Sequence, residues 1–202
     1  MAENAPGNMS PKLKRVIETA FEGVQAPPEL SVAIVSLVEL CQIAMPDPAA
    51  IVQAIEGASF VQGPKERADE FGNWLALDDK VFAFPVRNLR HKYYERSRED
   101  ALVRFLVSEG VSDHGGVVFV STLFGGATEA DAVKGAVHVT KKEPLTGANY
   151  AGMQGLRLRR VFWNTEGKAG MRGLMVTGPE NTDAADAPRA FTAFNVADKK
   201  TP

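Results

Sequence analysis

Gly115 to Val139 reads GGVVFVSTLFGGATEADAVKGAVHV, and the order of events within it decides the fold class. Gly115-Gly116 turns the chain into Val117-Val118-Phe119-Val120, a β-branched and aromatic run of the kind that forms a buried strand. Gly125-Gly126-Ala127-Thr128 then leads into a helix. Thr128 stands as its N-cap, and Glu129 and Asp131 lie in the first turn, where the helix dipole favours anions. Ala130, Val133 and Val137 give that helix one apolar stripe.

The flanks of this stretch say which kind of sheet the strand joins. Towards the C-terminus, Leu156 to Trp163 alternates, with Arg157, Arg159 and Arg160 beside Leu156, Leu158 and Val161. Leu174 to Thr177 and Ala190 to Val196 read as two further short strands. Towards the N-terminus, Ala101 to Ser108 is a strand carrying Leu102, Phe105 and Val107. Val81 to Val86 opens another, which Pro85 assigns to an edge. Arg87 to Arg98 reads as a loop between them. Before all of these come helices. Ser10-Pro11 starts one, Leu30 to Ala44 forms a second, and Asp47-Pro48 caps a third whose face is Ile51, Val52 and Ile55, with Gly57 as its C′ residue. Gly63 to Ala76 adds an amphipathic turn or helix with Phe71 and Trp74.

Helices, three strands, one helix and three strands contain no regular βα repeat, which excludes a doubly wound parallel sheet. The expectation is a single α+β domain over 1–202, with 1–60 helical and 79–197 mainly sheet. Its N-terminal helices pack on one face of an antiparallel sheet of about five or six strands, with one helix inserted between strands. No internal repeat is visible.

The chain has 202 residues, 45% of them hydrophobic and 24% charged, which is enough to build a core without staples. A net charge of -2 gives no global pull towards nucleic acid or an anionic membrane. The charge is uneven. Residues 1–80 hold 6 basic and 12 acidic side chains, and residues 81–163 hold 12 basic and 8 acidic. One cysteine and three histidines leave little for disulfide or metal chemistry. Cys41 sits among Leu40, Ile43 and Ala44 and reads as core. His91, His114 and His138 share no ligand spacing, so neither a metal nor a cofactor is expected. No GxSxG elbow is present. The chain as written opens without a signal peptide or membrane span, which predicts a cytoplasmic location, or a periplasmic one for a mature exported form.

Two stretches carry binding chemistry. Arg87, Arg90, His91, Lys92, Tyr93 and Tyr94 combine guanidinium forks with stacking rings, and Arg157 and Arg159 would enlarge the patch if their strand lay alongside. Gly125, Gly126 and Thr128 could hold an anion at a helix N-terminus, although the lysine of a P-loop is missing. The run Cys41 … Asp47-Pro48-Ala49-Ala50-Ile51-Val52-Gln53-Ala54-Ile55-Glu56-Gly57-Ala58-Ser59-Phe60, with a strand after Trp74, resembles small uncharacterised proteobacterial α+β proteins, many of them exported. That resemblance implies a small antiparallel α+β domain and a bacterial envelope location, and it transfers no catalytic residue.

Three functions follow. The leading expectation is a non-catalytic module that binds a ligand, a protein partner or a second copy of itself. The second is an anion- or nucleic-acid-binding domain built on the basic stretch. The third is an enzyme with an unfamiliar site near Gly125 and His114.

Overall fold

The structure is a computed structural model. It describes residues 30, 33–34, 47–77, 85–98, 101–113, 115–145, 147–151, 157–168, 171–180, 184 and 187–196. The expected helix from Ser10, most of Leu30 to Ala44 with Cys41, the start of the Val81 strand and His114 lie outside these residues.

Helix α1 (Pro48–Gly57) begins where the sequence places it, with the Asp47 side chain accepting a hydrogen bond from the Ala49 N–H at 2.9 Å. It ends two residues later than expected, with Ala58 as its C-cap. Gly57 is its last residue, and Ser59 takes the left-handed turn at φ 63°. Strand β1 (Val61–Gln62) and helix α2 (Lys65–Leu75) follow. The sheet continues with β2 (Arg87–Arg98), β3 (Ala101–Ser112) and β4 (Gly115–Phe124). After α3 (Glu129–Thr140) come β5 (Gly147–Ala151), β6 (Arg157–Lys168), β7 (Met171–Pro179) and β8 (Arg189–Val196).

Among the described residues, eight strands join one antiparallel sheet in the order β1-β2-β3-β4-β8-β7-β6-β5. The α+β class and the antiparallel pairing agree with the sequence, while the expected five or six strands are too few. Seven strands of five residues or more carry the sheet, and β1 adds a two-residue edge. The main correction is β2. Arg87 to Arg98 is a strand paired along its length with β3, not a loop. Tyr93 and Tyr94 are both buried, on opposite faces, so the segment lacks the period-two signature of a half-exposed strand. Strand β5 was also unforeseen, being a short addition to the outer edge of β6.

Helices cover both faces, which corrects the one-face expectation. On one face Ile51 and Ile55 of α1 and Ala132 and Ala136 of α3 share a core with Tyr94, Phe105, Val120 and Trp163. On the other, Ala68, Phe71 and Leu75 of α2 pack with Tyr93, Leu106, Phe119 and Met175. The two sets alternate along each strand, as the pleat requires. The sheet order also contains a repetition the sequence does not display. Two three-strand meanders, β2-β3-β4 and β6-β7-β8, meet back to back where β4 pairs with β8. Helix α2 precedes only the first of them.

Two features fix α2 on its face. Gly72 allows close approach: a Cβ there would lie 2.5 Å from the His91 ring, which Ser108 holds by a 2.8 Å hydrogen bond. At the other end Ala76 adopts a left-handed conformation at φ 45°, and the Arg160 guanidinium donates to the Leu75 and Ala76 carbonyls. A non-glycine residue at positive φ costs about 1 kcal/mol, so it persists where surrounding contacts determine it.

Candidate functional site

Register brings residues from remote parts of the chain into one row on the α2 face. Glu95 pairs with Arg104, Arg104 with Leu123, and Leu123 with Ala190. Helix α2 lies alongside this row. At helical spacing Arg67, Glu70 and Trp74 line one side of it. Between helix and row is a groove of about 870 Å³. Arg104 and Leu123 belong to its floor, Phe71 and Trp74 to its helical wall, and Leu102 and Pro188 to its far rim. Leu102 is 40% exposed there.

One carboxylate organises the end of the groove nearest β2. Glu95 Oε2 accepts from Arg67 Nη1 at 3.1 Å and from the Tyr93 hydroxyl at 2.8 Å. The Arg67 guanidinium also stands over the Tyr93 ring, 5.8 Å from its centroid. These contacts use up the charge of the Arg67–Glu95 pair. Arg104 differs. Among the described residues it forms no ion pair, and its buried Nε has no acceptor.

Burial first, and then the Glu95 acceptor, push the Tyr93 phenol up to about 12 from 10.0. Burial and the Glu56 carboxylate raise Tyr94 to about 12 as well. Both phenols are therefore favoured in their protonated form by folding. The sign of the pH effect follows. Below pH 10.0 both states are protonated and the contribution is complete; between 10.0 and about 12 the unfolded chain releases protons that the folded chain retains. Stability should fall across that window. Ultraviolet titration of the native protein should show two of its three tyrosines ionising near 12, and Tyr93→Phe should remove one of them. Native tyrosines that all titrate near 10 would contradict this burial.

The residues expected to bind are not brought together. Arg157 and Arg159 lie on β6, five strands away from β2, about 24 Å at ordinary strand spacing. Arg159 pairs with Glu129 at 3.4 Å, Arg157 with Glu180 at 2.8 Å, and Arg87 with Asp113. Along β2 the side chains alternate: His91 and Tyr93 face α2, while Arg90, Lys92 and Tyr94 belong to the opposite face. His91 and Tyr93, with Arg90 and Lys92 at the rim, line a second, smaller cavity of about 390 Å³ under the start of α2.

The Gly125, Gly126 and Thr128 turn does start α3, with Gly126 at φ 70°. Its anion is internal. Asp131 accepts from the Thr128 N–H at 3.0 Å and from its hydroxyl at 2.7 Å, and Thr128 in turn caps the Asp131 N–H. His138 stands in the last turn of α3 as expected. Burial, helped by Lys141, lowers its pKa.

Arg67, Glu70, Arg104 and Leu123 were not singled out from sequence. The available signal was Arg104 itself, one cation inside the apolar run Leu102-Val103-Arg104-Phe105-Leu106-Val107. No group of three or more metal-ligating side chains gathers among the described residues, and none of their helices is long and apolar enough to cross a membrane. No family model, curated protein or solved structure matches this chain.

Proposed function

We propose that the protein is a non-catalytic binding module whose working surface is the groove beside α2. The observation that carries this reading is the groove's construction: a concavity of ligand size in which Phe71, Trp74, Leu102 and Leu123 supply apolar surface beside the polar Arg67, Glu70, Asn73 and Arg104. Its described lining includes no histidine, cysteine or serine. The Glu95 carboxylate is occupied by Arg67 and Tyr93, and the Tyr93 phenol keeps its proton up to about pH 12, which does not suit that phenol for proton transfer near neutrality. The division of the basic residues between β2 and β6 favours a small ligand over a nucleic-acid strand.

A neutral fluorescent probe, N-phenyl-1-naphthylamine, tests the reading. The wild-type protein should bind it with saturable enhancement. Leu102→Asp, at the exposed rim, should weaken binding by about tenfold through the lost apolar contact. Its melting temperature should move by no more than about 2 °C, as for other surface changes. Absence of saturable binding, or a Leu102→Asp protein that binds equally well, would overturn the assignment.

A further inference from the structure

Resting on the groove as a binding site, we propose that its ligand is an amphiphilic organic acid, an apolar ring or chain ending in one carboxylate, and that Arg104 anchors the carboxylate. Four groups with formal charge surround the floor: Arg67, Glu70, Glu95 and Arg104. Arg67 and Glu95 neutralise each other at 3.1 Å, and the same Glu95 oxygen accepts the Tyr93 hydroxyl. Glu70 is on the exposed side of α2, where water screens it. Arg104 is the charge that remains on the floor.

Its setting is costly without an anion. The Nε is buried and lacks an acceptor among the described residues. An unmet buried donor on a cation without an ion-pair partner costs free energy. A planar carboxylate meets a guanidinium with two parallel hydrogen bonds and satisfies such donors. Leu123 directly beside Arg104, and Leu102 and Trp74 further along, supply the surface for the ligand's apolar body. One remaining cation matches one negative charge: Arg67 is already paired with Glu95, so a dianionic phosphate finds no second cation beside Arg104.

The test compares 2-naphthoate with its neutral isostere 2-naphthamide, each competed against bound N-phenyl-1-naphthylamine and checked by calorimetry. Wild-type protein should prefer the acid by about tenfold, the value of one charge-assisted pair. Arg104→Met should abolish that preference while still binding the neutral probe, which shows the variant folded and its groove intact. Arg104→Lys should keep part of the preference, since it retains charge but not the fork. Phenyl phosphate should compete less well than benzoate. Equal affinity for acid and amide, or a preference that survives Arg104→Met, overturns the proposal and leaves the groove reading standing. If neither the neutral probe nor 2-naphthoate binds, both fall.

Discussion

Trp163→Ala should lower the unfolding free energy by about 3–5 kcal/mol, the usual loss for a large aromatic removed from a core. Trp163 lies on β6 at 1% exposure, opposite Leu174 of β7, within the core that includes Ala132 and Ala136 of α3. Its indole N–H donates to the Lys142 carbonyl at 3.1 Å. That bond pins the chain just after Lys141, which takes the left-handed conformation ending α3 at φ 57°. Two losses would therefore combine. The larger is the cavity, since alanine-sized residues on α3 cannot expand to fill it. The smaller is the freed carbonyl, because Lys142 is exposed and water can replace the indole. Trp163→Phe separates the terms: it keeps most of the volume and should cost about 1–2 kcal/mol. Urea midpoints at constant slope measure both. A loss below about 1 kcal/mol for the alanine variant would mean that α3 is not seated on β6.

Legibility in the sequence followed how local each signal was. Helix α3 could be read because its cap, first-turn acids and apolar stripe lie within Thr128 to Thr140, and the structure adds only that Asp131 completes the capping box. Helix α1 carried the same kind of start signal at Asp47-Pro48. Strand β4 was legible because it is buried on both faces, so it reads as an unbroken apolar run. Strand β2 was misread for a related reason with opposite composition. It is also covered on both faces at Tyr93 and Tyr94, but Arg87, Arg90 and Lys92 before them are exposed. Charge density then imitates a loop. The groove was invisible for a deeper reason. Arg67, Arg104, Leu123 and Pro188 span most of the chain, and only strand register and the crossing of α2 make them neighbours. No spacing rule connects such positions, whereas a local basic cluster attracts attention and here proves dispersed.

Arg160→Met should cost about 3 kcal/mol and should also weaken probe binding in a groove that Arg160 does not line. Arg160 is fully buried on β6, and its guanidinium donates to the last carbonyl of α2 and to that of Ala76. Helix C-termini leave carbonyls without partners inside the helix, and a buried end must find donors elsewhere. Here one side chain from strand β6, on the face that α2 covers, supplies them and offsets the partial negative charge of the helix end. Replacing a buried ion pair by apolar residues is often harmless, because both charges vanish together. This case differs: the methionine removes one donor group and leaves two main-chain acceptors behind, each costing about 1–3 kcal/mol when unmet. Relief from burying the guanidinium returns part of that, which is why the expected loss is about 3 kcal/mol rather than the full sum. Arg160→Lys should fall between wild type and methionine, since an ammonium restores charge but reaches two carbonyls less well. The consequence for function follows from geometry. Phe71 and Trp74 stand in the last turn and a half before Leu75, so loosening that end displaces one wall of the groove. Affinity for N-phenyl-1-naphthylamine should drop several-fold in Arg160→Met under conditions where circular dichroism shows the protein still folded. Unchanged affinity alongside the stability loss would show that α2 holds its place without this anchor, and that Gly72 against His91 alone sets the position of the wall.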